Sequence, residues 1–110
     1  MSAYDGINNA KIKSVSLSVE DHGILCPWIH LDYGNSGQGF GGFCTYNPKY
    51  KKDDKTGFYI WRVLEVLEVG TWERLAGVSC RVEIKDGLVY KIGHFLKDQW
   101  FCPKEEWSKK

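Results

Sequence analysis

The side chains best suited to chemistry in this chain are three histidines (His22, His30, His94), four cysteines (Cys26, Cys44, Cys80, Cys102) and Asp32. Their spacings are not those of a metal set. Neither C-x-x-C nor H-x-x-x-H occurs, so neither a metal nor a cofactor is expected. His30 and Asp32 stand two apart. On a strand that puts an imidazole and a carboxylate on one face, where each can orient the other. No local nucleophile signature accompanies them. The reading is a structural pair, no catalytic residues and no enzyme.

The second candidate is the stretch Tyr33-Gly34-Asn35-Ser36-Gly37-Gln38-Gly39-Phe40-Gly41-Gly42-Phe43. Glycine lacks a Cβ and lets a ring, a ligand or another chain approach the backbone closely. A G-x-x-x-x-G-K-[ST] phosphate loop is absent, and no helix follows as a dinucleotide fingerprint requires. Two readings stay open. A ring of the protein, such as Trp61, packs on the bare backbone; or a ligand does. In the ligand reading, backbone donors around Gly39, Gly41 and Gly42 meet phosphate, with Asn35 or Gln38 beside them. Trp28 and Phe40 stack on a base, Tyr46 is a further ring, and His30 lies on the Trp28 face. Charge comes from Arg62, Arg74 or Arg81.

The elements that must position these residues come from periodicity. Residues 1–10 read as a loose arm. From Lys11 to Glu20, Val15, Leu17 and Val19 alternate with serines, a half-buried strand. From Ile24 to Tyr33, Leu25, Ile29, Leu31 and Tyr33 share one face, and Cys26, Trp28, His30 and Asp32 the other. Pro27 marks an edge or a bulge. Gly34 to Gly37 has hairpin-turn chemistry, and Gln38 to Tyr46 reads as a third strand. Asn47 to Lys55 is an exposed, lysine-rich loop. A helix runs from about Thr56 to Val69, closed by Gly70, with Ile60, Trp61, Leu64 and Leu67 as its core face. Thr71 to Gly77 reads as a helical turn. Val78 to Phe95 is a hairpin, for which a three-residue Lys85-Asp86-Gly87 loop keeps one apolar face intact. An ordered aromatic tail follows, and Lys104 to Lys110 frays. The expected fold is α+β: a largely antiparallel sheet of about five strands, β-β-β-α-β-β, with one main helix on one face.

Length and charge bound the partners. The 110 residues make one domain, with residues 1–10 and 104–110 loose. Fifteen basic against fourteen acidic residues leave a net charge of +1, which argues against extended binding to nucleic acid. A small anion needs only two or three local cations. No apolar run reaches membrane-span length, and the start has no signal-peptide pattern, so cytoplasmic residence with reduced, buried thiols is expected. Five Trp, six Tyr and five Phe are too many rings for so small a core, and the excess suits a pocket or a subunit interface.

Taken together, His22-Gly23-x-Leu25-x-x-Trp28-x-His30-Leu31-Asp32-Tyr33-Gly34, then Gly37-Gln38-Gly39-Phe40-Gly41-Gly42, Trp72-x-x-Leu75-x-Gly77 and Ile92-Gly93-His94-Phe95-Leu96-Lys97-Asp98-x-Trp100-Phe101 resemble a group of short proteins encoded by tailed phages and prophages. The resemblance covers most of residues 11–103. It carries no activity with it. It implies an accessory protein acting in the host bacterial cytoplasm, a setting in which small phage proteins blunt host defence. The favoured expectation is a non-enzymatic homo-oligomer that sequesters a small nucleotide-type immune signal, of the cyclic oligonucleotide or cyclic ADP-ribose class. The alternative is a protein–protein inhibitor of a defence effector such as a CRISPR complex.

Overall fold

The computed structural model describes residues 5–41, 44–50 and 55–108. Its chain order is β1 (Gly6–Val19), β2 (Leu25–Tyr33), β3 (Ser36–Phe40), α1 (Thr56–Leu67), β4 (Ser79–Lys85), β5 (Leu88–His94), β6 (Trp100–Phe101) and α2 (Pro103–Ser108). Short 3-10 turns at Pro48–Tyr50 and Trp72–Leu75 flank α1. The strands form one antiparallel sheet in the order β3-β2-β1-β4-β5-β6. The α+β class follows as expected, with six strands rather than about five. The added strand is β6, where Trp100 pairs with Gly93 and Phe101 with Ile92.

The first strand begins earlier than its polar sequence suggests. Gly6 to Lys11 pairs with β4, from Gly6↔Ile84 to Lys11↔Ser79. The stretch reads as an arm because its fully buried apolar contribution is small, chiefly Ala10. Backbone pairing and Asp5 hold it instead. The Asp5 carboxylate accepts from the N–H groups of Asp86 and Gly87 at 3.2 and 3.1 Å. Residues 1–4 of the expected arm lie outside the described residues.

β2 has the faces its alternation predicts. Ile29, Leu31 and Tyr33 are buried. Pro27 lies at an edge, since the β3 ladder starts only at Ile29↔Phe40. β3 is shorter than expected and ends at Phe40. The chain leaves through Gly41 at φ 115°, and Tyr46 returns alone to bridge Leu25.

The helix is rotated from the expected face: Leu67 is buried as expected and Ile60 and Leu64 are half-buried against the core, but Trp61 is not part of it. Thr56, Tyr59, Val63, Val66 and Leu67 are buried, whereas Trp61 is 63% exposed. The sequence from Phe58 to Leu67 is apolar nearly all round, so more than one stripe has helical spacing. Tyr59 decides the rotation. Its hydroxyl donates to Phe40 O at 2.6 Å, and its ring meets Phe40, Trp72 and Phe101. Glu68, in the left-handed conformation at φ 58°, ends the helix before Gly70 is reached.

The β4–β5 hairpin turns through two residues, not three. Asp86 (φ 52°) and Gly87 (φ 79°) are both left-handed, the type I′ geometry that matches strand twist. A regular ladder from this turn would put Lys91 opposite Val82. The structure instead pairs Ile84 with Val89 and then Val82 with Ile92, with a bulge that takes up Tyr90. One inserted residue restores the apolar face.

The chain after Cys102 is also helical where fraying is expected. Arg62 explains it. Its Nε and Nη2 donate to the two carboxylate oxygens of Glu106 at 2.8 and 2.9 Å, and Nη2 also to Trp100 O at 3.2 Å. A forked guanidinium ties α2 and β6 to α1.

Gln38 links two strands that are not neighbours in the sheet. Its Nε2 donates to Gly87 O at 2.9 Å and to Tyr33 Oη at 3.2 Å, and its Oε1 accepts from Val89 N at 2.7 Å. One side chain on the edge strand β3 thus grips the far hairpin. Each such bond is worth about 1 kcal/mol net, and an orphaned donor costs more. Gln38→Ala should therefore lower unfolding free energy by about 2–3 kcal/mol in urea titration.

The four cysteines are free and buried. Burial pushes the thiols of Cys44 and Cys80 from 9.0 up to about 12, Lys55 opposing it slightly at Cys44. Between those values the unfolded chain loses these protons and the fold keeps them. The thiols' contribution to stability should thus be constant below pH 9.0 and fall above it, by at most about 1.4 kcal/mol per pH unit for each thiol. Urea midpoints across that range check this, and Cys80→Val should reduce the slope.

Candidate functional site

α1 packs on one face of the sheet and leaves the other open. Strand alternation places Trp28, His30 and Asp32 of β2, Gly37 and Gly39 of β3, Ser14 and Ser16 of β1, Arg81 of β4, Gly93 of β5 and Trp100 of β6 on that open face. It carries two indoles, and each lies on a glycine. A Cβ at Gly39 would come within 2.8 Å of the Trp28 ring, and one at Gly93 would overlap Trp100. A flat ring over a bare strand position restores the apolar cover the glycine gives up.

Beside Trp28 lies a shallow cleft of about 430 Å³. Lys13, Ser14, His30, Asp32, Gly37 and Gly39 line it. His30 is near-parallel to the Trp28 indole, with centroids 6.2 Å apart and planes at 20°. Trp28 is 38% exposed. Lys13 is the extra residue of a bulge in β1 between Ile12 and Ser14. Among the described residues Lys11, Lys13 and Asp32 make no ion pair. The cleft thus offers a cation, a hydroxyl, an imidazole and a carboxylate, and the Trp28 indole lies next to it over Gly39.

The residues singled out in the sequence divide between this cleft and the framework. Trp28, His30 and Gly39 come together at it. Asn35 sits at the exposed β2–β3 turn, beyond the Asp32↔Gly37 pair. Gln38 contributes backbone to the cleft, but its amide is engaged with Tyr33, Gly87 and Val89. Phe40 is 2% exposed and belongs to the core, where it meets Phe101 edge-on, so it is not a platform for a base. Gly41 is covered by Tyr59. Gly42 lies outside the described residues. Arg62 is committed to Glu106, Glu65 and Trp100. Arg81 donates to His94 O and Lys97 O at 2.9 and 2.8 Å, and lies 4.8 Å from the Trp100 ring centroid, so it holds a loop. Exposed Arg74 lies on the 3-10 turn at Trp72–Leu75. Lys13 and Ser14 were not legible as site residues. The bulge that places them leaves no mark in a plain alternating pattern.

The bare glycine face therefore has an answer at two positions, and in both a ring of the protein covers it. Gly41→Val should destabilise the fold by about 3–5 kcal/mol, from backbone strain and overlap with Tyr59. Gly39→Ala meets only a half-exposed indole that can swing away. It should cost under about 1.5 kcal/mol and shift the Trp28 indole N–H resonance. Thermal melts and two-dimensional NMR of both variants check the contrast. No protein-family model, no curated protein and no solved structure matches the chain.

Proposed function

We propose that this chain is a non-enzymatic binding protein that holds a small anionic, nucleotide-type ligand on the open face of its sheet. The observation that supports it most is the Trp28 indole seated on Gly39, a residue that lines a cleft together with Lys13 and His30. Its volume of about 430 Å³ lies in the range of small-molecule sites. A base would lie along Trp28 and His30, and a phosphate would reach Lys13, Ser14 and the backbone near Gly39. The phage resemblance in the sequence supports the same reading. In that setting the ligand we propose is an immune signal of the cyclic oligonucleotide or cyclic ADP-ribose class, sequestered in the host cytoplasm. No helix among the described residues is long and apolar enough to cross a membrane.

A second reading is supported by the breadth of the open face, which runs from Trp28 on one side to Trp100 on the other. A flat surface of that kind also suits docking on a host defence protein, as an inhibitor of an effector such as a CRISPR complex.

Calorimetry with cyclic di- and trinucleotides and cyclic ADP-ribose isomers separates these readings. Binding, with intact ligand recovered after heat denaturation, supports sequestration. Conversion of the ligand would make the chain an enzyme, and silence with every ligand removes the nucleotide reading. Base–indole stacking is worth about 1–3 kcal/mol. Trp28→Ala should therefore weaken binding by roughly 5- to 150-fold. Lys13→Ala should weaken it with a reduced dependence on salt.

A further inference from the structure

The far half of β1 has an open edge. β4 follows β1 only as far as Lys11↔Ser79, and Ile12 then closes that side by bonding Gly77 N and Val78 O. Beyond the bulge, Ser14 to Val19 pairs with β2 alone. The phase of that ladder can be read from its end, where Glu20 N donates to Ile24 O at 3.0 Å. With Ser18↔Cys26, Ser16↔Trp28 and Ser14↔His30 in register, the even-numbered residues exchange hydrogen bonds with β2. The N–H and C=O groups of Val15, Leu17 and Val19 therefore point away from it. Two independent features agree. Pro27, which has no N–H, faces Leu17, and Leu25 bonds Tyr46 instead of β1.

The strand's own side chains leave this edge undefended, and Glu73 of the adjoining 3-10 turn is the charged group that faces it across a cleft. Leu17 is 45% and Val19 65% exposed. No charged side chain lies between Lys13 and Glu20, where edge strands ordinarily carry lysine or proline. A cleft of about 530 Å³ runs beside the edge, with Val15 and Leu17 on one wall and Trp72 and Ala76 on the other.

We propose that the occupant is a second copy of this chain, joined edge to edge through β1 about a two-fold axis at Leu17. The strand is complementary to itself in that register. Antiparallel pairing of Leu17 with Leu17 puts Val15 opposite Val19, and these are the residues with outward backbone groups, so each facing pair exchanges two hydrogen bonds. Side chains stay on matching faces: apolar against apolar, and Ser16 against Ser18. At each end Lys13 of one copy comes opposite Asp21 of the other, with Glu20 beside it, so the charges are complementary too. An isologous contact of this kind closes as a dimer and does not propagate. The axis stands across the sheet, so both open faces turn the same way and the two Lys13–Ser14 cleft walls lie nearest the junction. The proposal does not depend on any ligand.

Sedimentation equilibrium over a concentration series tests it, together with amide exchange. The expected result is a mass twice that of one chain, with the amides of Val15, Leu17 and Val19 protected in the dimer. Leu17→Lys sets like charges against each other on the axis and should return the single-chain mass and free exchange at those amides, with an unchanged far-UV spectrum. If that variant fails to fold, Val19→Lys serves, since its side chain is more exposed. Lys13→Glu should weaken the dimer by roughly tenfold, and Lys13→Glu with Asp21→Lys should restore it. A protein monomeric throughout the series overturns the proposal. So does a dimer whose mass and amide protection survive both lysine variants. Trp28→Ala should leave the dimer intact, so the ligand reading can fail without this one.

Discussion

The amide of Gln38 reaches from the edge strand β3 to the turn and first residues of β5, joining two strands that three others separate in the sheet. Val89 faces Ile84 just beyond the two-residue turn, where its N–H points away from β4, and β6 begins pairing only at Ile92. That donor would be unpaired in a part-buried place. Gln38 Oε1 satisfies it while Nε2 takes the turn carbonyl. The two strands are thereby held together over the inner face that the twelve-residue α1 covers.

Glycine and aromatic ring work as matched halves in this molecule. Inside, Tyr59 rests on Gly41 and bonds the carbonyl beside it. That contact stops β3, sets the rotation of α1 and leaves Trp61 outside. On the open face, Trp28 on Gly39 and Trp100 on Gly93 repeat the device with the ring half in solvent. The inner pair is structural because both partners are buried. The outer pairs keep a flat indole available at a fixed place, and only Trp28 stands beside a cleft with a cation that has no ion-pair partner among the described residues. Trp100 is flanked by Arg81 and Lys91 at 4.8 and 5.1 Å, so its neighbouring charges are already engaged with its own ring.

The arginines follow the same division. Arg62 and Arg81 hold the chain after His94, one to α1 and the other to β4. Their hydrogen bonds to carbonyl and carboxylate groups account for the order of a tail that is aromatic, then strongly charged. The cations beside the cleft are lysines on β1, which are positioned by backbone pairing and a bulge rather than by side-chain networks.

The sequence by itself determined the class of the fold, the alternation of β2, the position of α1 and the two hairpins, because those follow from local periodicity and turn chemistry. It also placed Trp28 and His30 on one face, since residues two apart on a strand share a face; that Gly39 lies beneath Trp28 follows from the β2–β3 register. What it left open was which partner each residue would meet. Phe40, Gln38, Gly41, Arg62 and Arg81 have the residue types of a binding site, and all five are taken up by groups distant in sequence: Phe101, Val89, Tyr59, Glu106 and His94. Bulges at Lys13 and Tyr90 have no local signature, because each exists to reconcile two ladders. The choice among several apolar stripes on α1 was likewise decided by one buried hydroxyl finding one carbonyl. Burial of a polar group demands a specific partner, and only the tertiary structure supplies it.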